Sequence, residues 1–135
     1  MKYIFSVLLL AAFYPSFSQV KQQKIIWEIN AQDTVVHSTV LRQINNVLIA
    51  APDTRIEVVF HGQAITGLVT DSTFFAEKIK SAQAKGVVFA ACNNSLKRYK
   101  IDPSRVLPGV QVVPVAILEL SSKQQEGWSY IKAGY

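Results

Sequence analysis

Hydrophobic positions along this chain follow two spacings, one typical of strands and one typical of helices. The segment KIIWEIN, residues 24–30, is short and rich in β-branched and aromatic residues, which predicts a β-strand. The apolar residues from Val36 to Leu48 then recur at helical spacing, which predicts an amphipathic helix. Asp33 is placed to cap this helix, and Pro52 ends it. A strand followed by a helix is therefore the first predicted unit.

The same alternation continues to the end of the chain. Asp71 or Ser72 is expected to cap the second long helix, and Asn93 or Asn94 a later short one. Strands that alternate with helices predict a three-layer α/β sandwich around a mostly parallel sheet of about five strands. The remaining predicted elements are strands at 54–62, 87–91, 110–114 and 128–134, and helices at 71–86, 93–99 and 115–127.

The first residues have the pattern of a secretory signal peptide. Lys2 precedes an apolar run over 3–13, and Ser16 and Ser18 are small residues placed as at a cleavage site. The run is shorter than the roughly 20 residues that span a bilayer, which disfavours the alternative of an uncleaved anchor. We therefore expect residues 1–18 to be removed, with no stable membrane insertion, and a periplasmic or secreted product.

Composition limits the rest of the chain to one compact domain, residues 19–135. The full sequence has 135 residues, is 50% hydrophobic and carries a formal net charge of +5. This charge is modest, and export makes nucleic acid an improbable partner. Cys92 is the single cysteine. It cannot form a disulfide within the chain, so it is either buried, paired between chains or a free reactive thiol.

Candidate chemistry lies where the predicted strands end, because parallel sheets bind ligands outside the carboxyl ends of their strands. Cys92 follows a buried strand and precedes a short helix, whose N-terminus would favour a thiolate. His61 ends another strand and is a candidate base or hydrogen-bond donor. The alternatives are a buried structural cysteine and a histidine that only bonds a loop carbonyl. His37 is expected to be a surface or half-buried residue.

The residues after Cys92 form a candidate anion-binding group of amide, hydroxyl and basic side chains. Its members are Asn93, Asn94, Ser95, Lys97 and Arg98. The chain contains no glycine-rich nucleotide motif, no C-x-x-C pair and no HExxH zinc motif. We therefore expect no cofactor and no structural zinc site, and the missing second cysteine excludes a dithiol cycle within the chain.

Four motifs in a fixed order resemble the DsrE/DsrF-like sulfur-relay superfamily, in particular its small single-domain members. They are His61-Gly62, ACNNSLK at 91–97, LPGV at 107–110 and QQEGWSYIK at 124–132. The resemblance implies a flavodoxin-like sandwich without flavin and assembly into homo-trimers or homo-hexamers. It also implies that Cys92 matches the cysteine that accepts a persulfide sulfur and hands it to a partner. His61 is the other position that the resemblance carries over.

Two functions are therefore weighed for the domain. The first is an exported persulfide carrier or weak sulfurtransferase that uses Cys92, with a protein or a small sulfur anion as donor or acceptor. This function requires an accessible sulfur. The alternative is a non-catalytic oligomeric module that holds a small anion or a peptide at the strand ends. Interchain disulfide formation through Cys92 is a third possibility.

Overall fold

The computed structural model describes residues 22–134, so the predicted signal peptide lies outside the described residues. Five strands form one parallel sheet with the order β4-β3-β2-β1-β5, which confirms the predicted fold class. The strands are β1 (Lys24–Ile29), β2 (Arg55–Phe60), β3 (Val88–Cys92), β4 (Gln111–Val113) and β5 (Ser129–Ala133). The last strand lies at the edge of the sheet, beside β1.

Four α-helices connect these strands, and none of them in residues 22–134 is long and apolar enough to cross a membrane. The helices are α1 (Thr34–Ala50), α2 (Ala76–Ala84), α3 (Asn93–Arg98) and α4 (Ala116–Gln125). Two 3-10 segments, Gly62–Leu68 and Pro103–Arg105, complete the connections. Asp33 accepts a hydrogen bond from the Val35 N–H at 2.7 Å, which confirms its role as the cap of α1.

One face of the sheet packs against α1, α2 and α3. Strand residues Val58 and Phe89 are fully or almost fully buried there, together with Ile44 of α1, Ile79 of α2 and Leu96 of α3. Side chains alternate between the two faces of a strand, so the neighbours of these residues point the other way. The larger hydrophobic core therefore lies on this first face.

The second face is covered by α4, whose Ala116 and Leu120 pack on a smaller apolar cluster that contains Cys92. Glu57 also lies on this face and is only 3% exposed. The Nζ atom of Lys123 lies 3.0 Å from a Glu57 carboxylate oxygen. This pairing compensates a charge that would otherwise be costly to bury.

The connections α3 and α4 leave neighbouring strands toward opposite faces. Strand β3 continues into α3 on the first face, and its neighbour β4 continues into α4 on the second. Such a reversal is the topological switch point at which open α/β sheets form their ligand crevices. The switch point of this sheet therefore lies between the ends of β3 and β4.

Two predicted helix starts are wrong. Helix α2 begins at Ala76 rather than after Asp71 or Ser72, because the Ser72 N–H and hydroxyl bond to Val69 and Thr66 carbonyls of the preceding turn. Helix α3 begins at Asn93 directly after β3, so Cys92 occupies the cap position.

His37 is 4% exposed, so the expectation of a surface or half-buried residue is wrong. Its Nε2 lies 2.8 Å from the Ala31 carbonyl oxygen, and its ring packs edge-on against Phe60. A satisfied hydrogen bond permits this burial. The ring also fills the space beside Gly67, where an added Cβ would lie 2.7 Å from it.

Candidate functional site at the ends of strands β2 and β3

Cys92 lies at the switch point of the sheet. It is the last residue of β3 and also the residue that precedes the first turn of α3, with no loop between the two elements. Its sheet partner is Val113, the last residue of β4, from which the chain continues into α4. The position of Cys92 therefore brings its side chain close to the beginnings of two helices.

The Cys92 sulfur receives hydrogen bonds from backbone N–H groups. The Ala116 nitrogen, at the start of α4, donates to Sγ at 3.4 Å. Burial alone raises the pKa of the Cys92 thiol, but N–H groups of Ala116, Ser95 and Asn94 bring this pKa below its ordinary value. The helix dipole of α4 acts in the same direction. The N–H groups at the starts of both helices therefore shift the thiol toward its charged form, and the largest contribution comes from α4, not from the short helix α3 that the sequence pointed to.

The Cys92 side chain is nevertheless almost covered, since the residue is only 5% exposed. It packs in the apolar cluster under α4 with Val113 and Leu120. Attack on a large protein donor requires a more open sulfur than this. The structure therefore combines a thiol of lowered pKa with a nearly complete covering of its side chain.

His61 lies beside Cys92 at the end of the neighbouring strand. Phe60 and Ala91 are paired across β2 and β3, and His61 and Cys92 are the residues that directly follow them. Alternation along the strands places both residues on the second face, and neighbouring strands are about 4.8 Å apart. The two residues carried over from the family resemblance thus lie at the carboxyl ends of two neighbouring strands.

The imidazole of His61 is held by a carboxylate that no sequence motif indicated. Its Nε2 lies 2.7 Å from Glu28 Oε1, and the Tyr130 hydroxyl donates to Glu28 Oε2. Burial raises the pKa of Glu28, but the hydrogen bonds from Tyr130 and His61 lower it below its ordinary value. The bond to Glu28 raises the pKa of Tyr130 to about 12. Glu28 is thus ionised and Tyr130 protonated at neutral pH.

The strand-end turns of β2 and β3 are joined by a second contact. The Gly62 N–H donates to the Ser95 hydroxyl oxygen at 2.8 Å. Gly62 adopts a positive φ of 56°, and a Cβ there would lie 3.2 Å from the Asn30 carbonyl oxygen at the end of β1. The ends of β1, β2 and β3 are therefore in contact through Gly62.

The sequence model of the DsrE/DsrF-like family matches residues 30–133. The chain belongs to this family. Membership confirms the resemblance carried by the four motifs and associates the chain with a fold of sulfur-relay systems. The match includes Cys92 and His61 but begins just after Glu28. No curated relative is similar enough in sequence to match the chain.

Solved structures with the same fold include MTH1491 of Methanobacterium thermoautotrophicum, described as a protein of unknown function. It is 26% identical, with a TM-score of 0.79 over 82% of this chain and 99% of that one. The ychN protein of E. coli is 12% identical, with a TM-score of 0.69 over 82% and 98% of the two chains. BT1422 of Bacteroides thetaiotaomicron is 15% identical, with a TM-score of 0.68 over 82% and 94%. These likenesses support the family fold.

The predicted anion-binding group is divided between the two ends of α3. Asn93, half-buried, and Asn94, exposed, lie in the first turn beside Cys92, whereas Lys97 and Arg98 are exposed in the last turn. The buried Ser95 hydroxyl already accepts the Gly62 N–H. The structure thus keeps the two asparagines and Ser95 in the turn that follows Cys92, and places the two cations in the last turn of the helix.

Other features of the family fold lie away from the sulfur. A groove of about 380 Å³ lies between α1 and α2, on the opposite side of the sheet from Cys92, and is lined by Leu41, Leu48 and Lys85 among others. Within residues 22–134, no three His, Cys, Asp or Glu side chains are arranged to hold a metal ion. The groups capable of chemistry are therefore concentrated at the ends of β2 and β3.

Proposed function

We propose that this protein carries sulfur as a persulfide on Cys92. The single observation that supports this function best is the Ala116 N–H bond to Cys92 Sγ at 3.4 Å, at the start of α4. A donor that stabilises the thiolate also stabilises the anionic persulfide formed from it. Membership of the DsrE/DsrF-like family, whose fold occurs in sulfur-relay systems, supports the same chemistry.

Because Cys92 is only 5% exposed, we restrict the proposal to small sulfur donors and exclude folded protein donors. With thiosulfate, the Cys92 thiolate attacks the outer sulfur, the bond between the two sulfur atoms breaks, and sulfite leaves with the electron pair. With a hydropersulfide R–S–SH, the products are the Cys92 persulfide anion and the thiol R–SH. In the second half of the cycle, an acceptor thiolate takes the outer sulfur and restores the Cys92 thiolate.

We further propose that the carrier acts outside the cytoplasm, as a periplasmic or secreted homo-oligomer. The support is the signal-peptide pattern of residues 1–18, together with the family membership. Cell fractionation with an antibody to the protein, and light scattering of the purified material, test these two statements. A cytoplasmic protein contradicts the first, and a monomer contradicts the second.

The carrier function is tested by intact-mass measurement after incubation with thiosulfate or with cysteine persulfide. The wild-type protein is expected to gain the mass of one sulfur atom, and a cyanide wash should remove it. Cys92→Ser, a nearly isosteric control at a 5% exposed position, should gain nothing. Equal labelling of wild type and Cys92→Ser, or no labelling of the wild type, contradicts the proposal.

The same burial of Cys92 favours a second candidate, a non-catalytic module that binds a small anion. In that function the thiol is structural, and the exposed cations Lys97 and Arg98 attract the ligand. Stabilisation by sulfate or phosphate should then survive Cys92→Ser and weaken in Lys97→Ala and Arg98→Ala. Differential scanning fluorimetry measures this, and stabilisation that disappears in Cys92→Ser alone contradicts the binding module.

A further inference from the structure

Side chains of β1, of β5 and of the residue after β2 form a hydrogen-bonded cluster on the second face of the sheet. Glu28 of β1 accepts from His61, which follows β2, and from Tyr130 of β5. Both carboxylate oxygens are thereby used, and Glu28 is only 8% exposed. Burying a carboxylate is costly unless it is paired, and these two hydrogen bonds offset that cost. The family match to the chain begins after Glu28, and the persulfide chemistry at Cys92 does not by itself require this carboxylate.

The cluster determines which nitrogen of His61 carries a proton. An ionised carboxylate can only accept hydrogen bonds, and the Tyr130 and His61 bonds keep the pKa of Glu28 below its ordinary value. The His61 Nε2 at 2.7 Å must therefore be the protonated nitrogen. Nδ1 makes no hydrogen bond to any side chain or backbone group within residues 22–134. It is therefore the nitrogen available to exchange a proton.

The cluster also lies next to the sulfur. His61 and Cys92 directly follow the paired residues Phe60 and Ala91, and the alternation of side chains puts both on the second face. The Gly62 hydrogen bond to Ser95 holds the turn after His61 against the first turn of α3. His61 and Cys92 thus follow neighbouring strands on the same face of the sheet, which is the arrangement that a proton carrier for chemistry at the sulfur needs.

We propose that Glu28 and Tyr130 are positioning residues that hold His61 as the proton carrier for sulfur transfer at Cys92. This inference rests on the persulfide function proposed above. When R–S–SH is the donor, a bond forms between Cys92 Sγ and the outer sulfur, and the bond between the two donor sulfurs breaks. The electron pair goes to the leaving sulfur. His61 Nδ1 takes the proton of the donor and delivers it to that sulfur, which leaves as R–SH.

The two small donors differ in their need for this proton. The reaction with thiosulfate releases sulfite and requires no proton transfer to balance. The reaction with R–S–SH releases a thiol and requires one. A cluster that only stabilises the fold would affect loading from both donors equally, whereas a proton carrier affects the hydropersulfide donor selectively.

The test compares the rate of Cys92 persulfide formation from cysteine persulfide with the rate from thiosulfate. Glu28→Gln is nearly isosteric, but it replaces the charged acceptor of the His61 Nε2–H bond with a neutral amide. We expect loading from cysteine persulfide to slow about tenfold or more, and loading from thiosulfate to change less than about twofold. His61→Gln should show the same selectivity. The double variant should be no slower than His61→Gln, since the two residues act as one unit.

A matched control is available on the same face. Glu57→Gln makes the same charge change at another buried carboxylate, which pairs with Lys123 instead of His61. Its two rates should keep the wild-type ratio. Glu28→Asp, which draws the carboxylate back by one methylene, replaces Glu28→Gln if that variant folds poorly, and the same selective loss is expected.

The outcomes separate the two proposals. Wild-type protein that loads from neither donor overturns the carrier function, and the role of His61 with it. If wild-type protein loads from both donors, and the Glu28 and His61 variants keep its ratio of the two loading rates, only the proton-carrier proposal is overturned. A selective loss of loading from cysteine persulfide in Glu57→Gln would also overturn the proton-carrier proposal, because this loss would then not require contact with His61.

Discussion

Ser95 joins the two strand ends that carry His61 and Cys92, so replacing it with alanine is expected to weaken both stability and thiol activation. Its hydroxyl oxygen accepts the Gly62 N–H at 2.8 Å, and the residue is 7% exposed. Its N–H and hydroxyl also contribute to the lowered pKa of Cys92. Ser95→Ala removes the hydroxyl and leaves the backbone N–H in place.

The loss of stability follows from the hydrogen bond that is removed. Removing the acceptor of the half-buried Gly62 N–H costs about 1–2 kcal/mol, and the alanine methyl group adds no new contact to compensate this loss. We expect a decrease of about 1–2 kcal/mol in the free energy of unfolding, or about 4–8 °C in Tm for a domain of this size. The pKa of Cys92 should rise but stay below its ordinary value, because the Ala116, Ser95 and Asn94 N–H groups remain.

Urea denaturation measures the first effect, and the pH dependence of iodoacetamide alkylation measures the second. Ser121→Ala is the control, since this serine is exposed on α4 and its replacement should change stability by less than about 0.5 kcal/mol. If Ser95→Ala keeps the stability and alkylation profile of the wild type, the Ser95 hydroxyl neither joins β2 to β3 nor activates the thiol, and the reasoning is refuted.

Three further predictions concern the core and the buried charges. Gly67→Ala places a Cβ 2.7 Å from the His37 ring and should cost about 1–3 kcal/mol in urea unfolding; an unchanged midpoint would show that the ring moves freely. Glu28 has a lowered pKa, so its stabilising contribution is present above its ordinary value of 4.5 and is lost as the pH falls through the lower folded value. Glu28→Gln should therefore flatten the acid limb of a plot of Tm against pH, and a parallel limb would count against the ionised cluster. Lys123→Met leaves the carboxylate of Glu57 buried and unpaired, which should cost about 3 kcal/mol, and calorimetry that finds no loss would mean that Glu57 is protonated there.

The sequence predicts the order of strands and helices and the places where chemistry lies, because hydrophobic spacing and helix caps are local signals. It therefore selects Cys92 and His61. It does not select Glu28 or Tyr130, since their contact joins residues far apart in the chain through the pairing of β1 with β5. A charged residue at an inward position of an apolar strand was the available signal for Glu28.

The errors in prediction have the same origin. His37 is buried because it hydrogen-bonds a carbonyl of the preceding loop and packs against the ring of Phe60, and neither contact has a signature in the sequence. The start of α2 differs from the prediction because Ser72 and Asp71 are good caps in isolation, but side-chain and backbone bonds of Ser72 hold it in the previous turn. In both places tertiary contacts outweigh local preference.

The burial of the Cys92 sulfur has a consequence for the direction of the chemistry on a persulfide. The outer sulfur would extend about 2 Å beyond Sγ, whereas Sγ itself keeps its place in a residue that is 5% exposed. A thiolate that attacks the outer sulfur receives it, but one that attacks Sγ forms a mixed disulfide and releases the cargo as sulfide. Because the inner atom is covered, attack on it is hindered, which would favour transfer of the outer sulfur over its loss as sulfide.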